Sequence, residues 1–195
     1  MIVLARHGES EFSVRGALNG DPAVHCGLTP AGAAQARALR DALADEPLDL
    51  CVTTEFQRTR ETAELALAGS DIPRVVVPEL NDPKYGVYEG EGLHAYRDWA
   101  AAASSRDRPD GGGESRFEIV ERYARGFRLV LARPEPAIVV IAHSLPIAYA
   151  LAAREGAAPA ARVPLAEYAT AYRFTRAELE DVAARLEAWL AAPNW

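Results

Sequence analysis

The segment Ile2-Val3-Leu4-Ala5-Arg6-His7-Gly8-Glu9 decides the fold, because a short apolar run passes directly into an arginine and a histidine. Such a run is typical of a buried strand in a parallel sheet. Open α/β sheets bind ligands at the carboxyl edge of their strands. The segment therefore predicts that Arg6 and His7 lie at a ligand-binding edge. A histidine there can act as a nucleophile, and an arginine beside it suits a phosphoryl group.

Three further apolar runs are followed closely by polar side chains of the same chemical kinds. They are Leu50 to Thr54 followed by Arg58, Val75 to Val77 followed by Asp82, and Ile138 to Ala142 followed by His143. Because the carboxyl ends of parallel strands meet at one edge of a sheet, we expect these side chains to converge. Two histidines, two arginines and a carboxyl group would supply a nucleophile, an anion cradle and a proton donor.

These motifs resemble those of the histidine phosphatase superfamily, also called phosphoglycerate mutase-like, in order and in spacing. The matching segments are Arg6-His7-Gly8, Thr54 to Ala63, Leu80 to Gly86 with Glu89-Gly90, and His143-Ser144. Each motif alone is a weak signal, whereas the four together are highly specific. The resemblance points to the phosphatase branch and implies a reaction that passes through a phosphohistidine.

Strand and helix signals alternate along the chain, which predicts a three-layer α/β/α sandwich with a mostly parallel central sheet. The predicted helices cover Pro30 to about Ala44, residues 57–68, residues 93–103, residues 116–132, a segment from Pro146 to near Gly156, and a C-terminal segment to about Ala192. Thr29, Ser115 and Thr175 are the predicted N-caps. Tyr168 to Thr175 alternates in side-chain size and is predicted as an edge strand. At this length we expect a single domain over residues 1–195.

The resemblance implies a role for each converging side chain. His7 is the expected nucleophile, and Arg6 and Arg58 are expected to hold phosphate oxygens bidentately. Arg60 is the nearest rival of Arg58, and the register of the resemblance selects Arg58. His143 is expected to donate a hydrogen bond to a nonbridging phosphoryl oxygen.

Asp82 is the predicted proton donor to the leaving oxygen and the later base for water. Many relatives carry glutamate at this place, and Asp-Pro is also a common turn pairing. Glu89 is therefore kept as the alternative donor, and Glu114 as a more distant one.

Further substrate contacts are expected around the first loop and the second histidine. Gly8 is expected where the backbone approaches the phosphoryl group closely. Ser13 stands where mutase-like relatives usually carry asparagine, so its hydroxyl has a shorter reach. The other expected contacts come from Asn19, Gly20, and the backbone amides of Ser144 and Leu145.

Composition excludes several classes of partner and cofactor. A net charge of −7 argues against nonspecific nucleic-acid binding, although a local pocket on an acidic protein can still be positive. No apolar run reaches membrane-spanning length, and the first residues lack a signal-peptide layout. Cys51 is interpreted as a buried free thiol, which fits a cytoplasmic location. His25, Cys26 and Cys51 lack the paired spacing of a zinc site, so we expect no metal or other cofactor.

The sequence therefore predicts a metal-independent phosphomonoester hydrolase with a small phosphorylated substrate. Two alternatives stay open, a phosphoglycerate mutase and an inactive phosphate-binding protein. The resemblance implies that mutases are longer, with an insertion between the acid motif and the second histidine. Residues 83–142 are only 60 residues long and contain no adjacent arginine pair to hold a carboxylate, which disfavours the mutase. The substrate stays open, and the apolar helix and edge strand near the C-terminus permit a homodimer without requiring one.

Overall fold

Five strands form one sheet, and the four that were predicted from apolar runs are parallel to one another. A computed structural model describes all residues from Met1 to Trp195. The strands are β1 (Ile2–Arg6), β2 (Leu50–Thr53), β3 (Arg74–Val76), β4 (Ile138–Ala142) and β5 (Ala171–Phe174). Their order is β3-β2-β4-β1-β5, with β1 to β4 mutually parallel and β5 antiparallel to β1. The predicted fold class is confirmed.

Seven helices flank this sheet on its two sides. They are α1 (Glu11–Val14), α2 (Pro30–Ala42), α3 (Gln57–Ala66), α4 (Leu93–Ala102), α5 (Arg116–Leu131), α6 (Ser144–Arg154) and α7 (Arg176–Ala191). Val3 and Ala5 of β1 pack in the cluster that includes Leu39 of α2, whereas Ile2 and Leu4 pack with α5, α6 and α7. Alternate side chains of a strand point to opposite faces, which produces two apolar layers from one continuous run. None of the helices combines the length and apolarity that a bilayer span requires.

Side-chain caps begin three of these helices where the sequence predicts them. The hydroxyl of Thr29 accepts a hydrogen bond from the Gly32 amide, ahead of Pro30 at the first helical position. Ser115 and Thr175 each form a complete capping box with the glutamate three residues later. The caps satisfy amide groups that have no partner within the helix.

The structure differs from the predicted elements at three places. Helix α1 has no counterpart in the prediction, because four residues are too short to show a helical period. Helix α6 begins at Ser144 rather than at Pro146. The edge strand begins only at Ala171, because Ala169 adopts a positive φ of 46°, which a strand cannot continue through. Both cysteines are free and buried, as predicted for Cys51, and burial raises the pKa of Cys51 to about 12.

Candidate active site

The carboxyl ends of two neighbouring strands place His7 and His143 side by side. Arg6 of β1 lies opposite Ala142 of β4 in the parallel register, and the His7 amide donates to the Ala142 carbonyl at 3.0 Å. The two imidazole centroids are 5.4 Å apart at an interplanar angle of 67°, and both rings are buried. The predicted convergence of the two histidines therefore follows directly from strand pairing.

Arg58, in the first turn of α3, connects the groups that the sequence places after separate strands. Its Nε donates to His7 Nε2 at 3.2 Å, its Nη1 to Asn19 Oδ1 at 2.7 Å, and its Nη2 to Asp82 Oδ2 at 2.9 Å. The guanidinium is buried, and its central carbon lies 4.2 Å from the centre of the Phe56 ring. One planar cation thus fixes the positions of the nucleophile candidate and the carboxyl group together.

Hydrogen bonds determine which nitrogen of His7 carries the proton. Nδ1 lies 2.6 Å from the carbonyl oxygen of Gly8, which can only accept, so Nδ1 is the protonated nitrogen. Nε2 accepts from Arg58, which can only donate, so Nε2 holds the lone pair. Burial, followed by the charges of Arg58 and Arg6, lowers the pKa of His7 well below its usual range. His7 is therefore a neutral imidazole whose Nε2 lone pair is available for attack.

His143 is held in the opposite tautomer by a directed hydrogen-bond chain. Its Nδ1 lies 3.3 Å from Arg58 Nη2 and must accept, so Nε2 carries the proton and donates to Thr54 Oγ1 at 3.0 Å. The Thr54 hydroxyl then donates to Thr59 Oγ1, which donates to the Phe56 carbonyl. Burial, then the charge of Arg58, lowers the pKa of His143 well below its usual range. The ring therefore has no free N–H group, and His143 does not line the cavity that contains His7. The expected hydrogen bond from His143 to a phosphoryl oxygen does not fit this arrangement, in which His143 holds Arg58 instead.

The two lowered histidine pKa values make stability depend on pH. In the unfolded chain a histidine has a pKa of about 6.5, whereas in the folded chain these two histidines bind a proton only at lower pH. Below about pH 6.5 the unfolded chain therefore binds more protons than the folded chain does. The free energy of unfolding should therefore fall as the pH drops below about 6.5, by up to about 1.4 kcal/mol per pH unit for each histidine. We expect His143→Gln to remove about half of this slope in urea unfolding between pH 7 and pH 5.

His94→Gln is the matched control, since His94 is exposed on α4. Asp82 contributes a slope of opposite sign, because its pKa is raised, so the comparison between variants isolates the histidine contribution. An identical slope in wild type and His143→Gln would contradict the assignment of His143 as a neutral buried ring.

Asp82 lies between the arginine and the second histidine. It follows β3 after a single 3₁₀ turn over Pro78–Leu80. Its Oδ2 is 2.9 Å from Arg58 Nη2 and 3.5 Å from His143 Nδ1, and 18% of its side chain is exposed. Burial raises the pKa of Asp82 and outweighs the opposing charges of Arg58 and Arg6. A carboxyl group with a raised pKa beside a nucleophile is suited to proton donation.

The loop that carries Asp82 is held from behind by Arg122 of α5. Arg122 Nη1 donates to the carbonyl oxygens of Glu79 and Asn81 at 2.9 and 2.8 Å. Its Nε forms an ion pair with Glu114 at 2.8 Å, so the arginine is itself fixed. The backbone on the amino-terminal side of Asp82 is therefore positioned by a charged pair that does not touch the reacting groups.

The two alternative proton donors have other partners. Glu89 accepts the Gly20 amide on one oxygen and the Tyr85 amide on the other, each at 2.8 Å. Glu114 is paired with Arg122. Neither glutamate lines the cavity that contains His7, whereas Asp82 does. Of the three candidate carboxyl groups, only that of Asp82 therefore lies in the cavity with His7.

Gly8 and Gly20 differ from the sequence-based expectation, because both are required by backbone packing rather than by a ligand. The Gly8 amide donates to Thr62 Oγ1, and a Cβ at Gly8 would lie 2.4 Å from the Gly32 carbonyl oxygen. A Cβ at Gly20 would lie 1.9 Å from the Pro83 carbonyl oxygen. Neither glycine lines the cavity. Their expected substrate contacts are not found in this arrangement.

Arg6 reaches the cavity from the end of β1. Its Nη1 donates to the Ala166 carbonyl at 2.9 Å, and its guanidinium lies 3.7 Å from the centre of the Tyr168 ring. Nε has no hydrogen-bond partner. Arg6 therefore retains unused N–H donor capacity beside His7, as a phosphate-binding arginine requires.

The cavity has a volume of about 180 Å³ and contains most of the expected contact residues. Ser13, Asn19, Ser144 and Leu145 line it together with Arg6, His7, Arg58 and Asp82. No side chain caps the amino terminus of α6, so its first amides and its dipole point positive charge at this site. The chain contains no cluster of three or more His, Cys, Asp or Glu side chains arranged to hold a metal ion.

Two residues of the site were not identified from sequence. Thr54 orients His143, and its position directly after a buried strand is a signal that could have singled it out. Tyr168 covers Arg6 and lies 6.1 Å from the His7 ring, centre to centre. Its place in an alternating segment indicated only a strand, so no local signal pointed to this role.

Comparison with known proteins places this site in a family. A family model of the histidine phosphatase superfamily (branch 1) matches residues 2–191. The chain belongs to this superfamily. The adenosylcobalamin/alpha-ribazole phosphatase of Salmonella typhimurium is 40% identical over 86 residues, which cover 44% of this chain and 42% of that superfamily member. The chain therefore matches less than half the length of that relative.

Two other proteins match over more of the chain. The 2,3-bisphosphoglycerate-dependent phosphoglycerate mutase of Methylobacterium sp. is 31% identical over 163 residues, which cover 68% of this chain and 74% of the mutase. The structure of TTHB049 from Thermus thermophilus has a TM-score of 0.65 at 28% identity, covering 87% of this chain and 90% of that one. Phosphatases and a mutase are thus both among its relatives.

Proposed function

We propose that this chain is a phosphomonoester hydrolase that acts through a phosphohistidine on His7. The observation that carries the proposal is the Nδ1–H tautomer of His7, which leaves the Nε2 lone pair beside Arg58. The same guanidinium contacts Asp82, so a nucleophile, a phosphate-binding cation and a proton donor meet at one point. Phosphoryl transfer depends mainly on positioning and charge stabilisation, which this arrangement supplies.

In the first step, the Nε2 lone pair of His7 forms a bond to phosphorus as the bond from phosphorus to the alcohol oxygen breaks. The proton on Asp82 passes to that departing oxygen. Arg6 and Arg58 hold the nonbridging oxygens, and a substrate phosphate beside Asp82 raises the pKa of its carboxyl group further. The hydrogen bond from Arg58 to Nε2 breaks as Nε2 bonds to phosphorus. The products are an alcohol and a phosphohistidine.

In the second step, water attacks the phosphohistidine and the bond from Nε2 to phosphorus breaks. The Asp82 carboxylate takes a proton from the attacking water, which restores the protonated acid. His7 leaves as a neutral imidazole, still held by the Gly8 carbonyl through Nδ1. Inorganic phosphate is released, and every group returns to its starting state.

Charge stabilisation in this scheme comes from the protein itself. Arg6 and Arg58 remain protonated at any working pH, and the amino terminus of α6 adds a third positive field. We therefore propose that turnover requires no metal ion. The test is phosphate release from a panel of phosphomonoesters, alpha-ribazole phosphate included, with and without EDTA. Equal rates would support the proposal, whereas loss of turnover in EDTA that returns with a divalent cation would overturn metal independence.

Asp82→Asn should slow the reaction in a way that depends on the leaving group. An alkyl alcohol needs a proton as it departs, whereas p-nitrophenolate departs as a stable anion. We expect kcat/KM, which reports the steps up to formation of the phosphohistidine, to fall by about 10²-fold or more for an alkyl phosphate such as glycerol 3-phosphate, and far less for p-nitrophenyl phosphate. Steady-state kinetics with the two substrates would measure the difference. Glu89→Gln serves as the control, and a larger leaving-group effect for Glu89→Gln would make Glu89 the donor.

A phosphoglycerate mutase is the second candidate, because the mutase from Methylobacterium sp. matches more of this chain than the Salmonella phosphatase does. A mutase returns the phosphoryl group from histidine to substrate, whereas a hydrolase passes it to water. Incubation with 3-phosphoglycerate, followed by ³¹P NMR, separates the two. Free phosphate alone supports the hydrolase, and 2-phosphoglycerate formed faster than free phosphate supports the mutase.

A further inference from the structure

Arg6 and Arg58, the two arginines of the proposed phosphoryl site, are fixed in different ways. The Arg58 guanidinium donates to His7 and Asp82, among other residues, so hydrogen bonds in its own plane determine its orientation. Arg6 has one such bond, from Nη1 to the Ala166 carbonyl at 2.9 Å, and its Nε has no partner. One hydrogen bond leaves a guanidinium free to turn about that contact, so a second constraint is needed to orient its other N–H groups.

The ring of Tyr168 supplies this second constraint. The central carbon of the Arg6 guanidinium lies 3.7 Å from the centre of the ring. At this distance an N–H group that pointed at the ring would clash with it, so the guanidinium stacks with its face on the ring. Stacking uses none of the N–H donors of Arg6. Tyr168 also lines the cavity that contains His7, so the stacked pair forms part of the cavity wall.

The backbone around Tyr168 is attached to Arg6 as well. Arg6 and Tyr168 form an isolated parallel β-bridge, and the Ala169 amide donates to the Arg6 carbonyl at 2.9 Å. The Ala166 amide donates to Ser144 Oγ at 2.9 Å, which fixes the residue whose carbonyl accepts from Arg6. This segment therefore holds both the main chain and the side chain of Arg6.

The residue after Tyr168 has a strained backbone. Ala169 is the only residue other than glycine with a positive φ, at 46°. This region is sterically unfavourable for a residue that has a Cβ, and such strain persists only where the surrounding structure requires it. The turn at Ala169 separates the parallel bridge at Tyr168 from the antiparallel pairing of β5 with β1. The position of the Tyr168 ring therefore depends on a specific backbone turn.

We propose that Tyr168 is a positioning residue for Arg6, and that its ring orients the unused N–H donors of the guanidinium toward the phosphoryl group beside His7. This inference rests on the proposed function, because it takes the phosphoryl group to bind between Arg6 and Arg58. The ring acts through its face, so the hydroxyl group of Tyr168 is not required. Phosphoryl transfer depends on positioning and charge stabilisation, so an arginine that loses its orientation loses much of its effect.

Substitutions that keep or remove the aromatic ring test this inference. Tyr168→Phe should retain kcat/KM for p-nitrophenyl phosphate within about threefold, whereas Tyr168→Leu should lower it by about tenfold or more. Tyr88→Leu is the control, because Tyr88 is half-buried and does not line the cavity, and it should leave kcat/KM unchanged. An unchanged rate in Tyr168→Leu would overturn the inference. So would an equal loss in Tyr168→Phe, which would assign the effect to the hydroxyl group.

A double-mutant cycle separates positioning of Arg6 from a general effect on the fold. Once Arg6→Met has removed the guanidinium, Tyr168→Leu should lower kcat/KM by less than about twofold further. An equal loss in both backgrounds would show that Tyr168 acts independently of Arg6 and would overturn the inference. Ala169→Val takes the place of Tyr168→Leu in the cycle if that variant does not fold, because a β-branched residue disfavours a positive φ and displaces the ring. Ala169→Gly should keep the wild-type kinetics.

Binding of inorganic phosphate distinguishes failure of this inference from failure of the proposed function. Calorimetry measures this affinity without turnover. If no phosphomonoester is hydrolysed, the proposed function fails by itself, and the phosphate affinities of the same variants then decide the role of Tyr168. A weakening by about tenfold in Tyr168→Leu that disappears in the Arg6→Met background supports positioning. Equal weakening in both backgrounds, or none in either, would overturn it.

Discussion

Replacing His7 with alanine should lower kcat for phosphomonoester hydrolysis by about 10⁴-fold or more. The Nε2 lone pair is the only protein group that bonds to phosphorus in the proposed mechanism, and alanine removes it. His143 does not replace it, because the His143 ring is fully buried and is not among the residues that line the cavity. Arg6 and Arg58 stay in place, so inorganic phosphate should still bind within a few-fold of its wild-type affinity.

This pattern, lost turnover with retained phosphate binding, is what distinguishes a nucleophile from a residue that only shapes the cavity. Steady-state kinetics and phosphate calorimetry on the same protein would measure both quantities. His94→Ala is the control, since His94 is exposed on α4 and does not line the cavity. A His7→Ala protein that keeps a tenth or more of wild-type kcat would refute the nucleophile assignment.

Arg58→Met should lower kcat/KM by about 10³-fold, within the range known for arginines that stabilise phosphoryl transfer. The loss has two parts. The phosphoryl oxygens lose a bidentate donor, and His7, Asn19 and Asp82 lose the guanidinium that holds them together. Arg58→Lys should recover little of the rate, because an ammonium group cannot match the planar fork.

The Arg58 variant should also shift the pH profile of kcat/KM, which a purely structural change would not do. Arg58 lowers the pKa of both His7 and Asp82, so both values should rise in Arg58→Met. Both limbs of the profile should then move to higher pH. Arg60→Met is the matched control, because Arg60 is exposed one half-turn further along α3. A profile that keeps its position, or an equal loss in Arg60→Met, would contradict the role of Arg58.

The part of the site around His7 and His143 was predictable because it follows from strand periodicity. Ile2–Arg6 and Ile138–Ala142 are continuous apolar runs, so they must be central strands, and parallel pairing brings the residues after them together. The choice of Arg58 over Arg60 depended on matching the sequence to the family motif, because both residues lie near the start of α3. Structure then explains the choice, since Arg58 points to the sheet edge and Arg60 to solvent.

The burial of Arg116, which lines the cavity, was not predictable from the sequence alone. Arg116 follows an N-cap serine, and that position is ordinarily exposed on a surface helix. Its side chain is buried instead, and its Nη2 donates to the Ala161 carbonyl, a contact between segments that are distant in sequence. Tyr168 reaches Arg6 for a similar reason, since the positive φ of Ala169 interrupts the strand pattern that the sequence suggested. Local periodicity contains no information about such long-range contacts.

The most direct test of the proposed mechanism is to trap the phosphoenzyme. Wild-type protein mixed with substrate and denatured within milliseconds at alkaline pH preserves the acid-labile phosphohistidine. Peptide mass spectrometry then identifies the modified residue, and ³¹P NMR identifies the nitrogen. We predict a phosphoryl group on Nε2 of His7, formed before steady-state phosphate release and absent from His7→Ala. A phosphoryl group on any other residue, or turnover with no phosphoenzyme at any time, would contradict this mechanism.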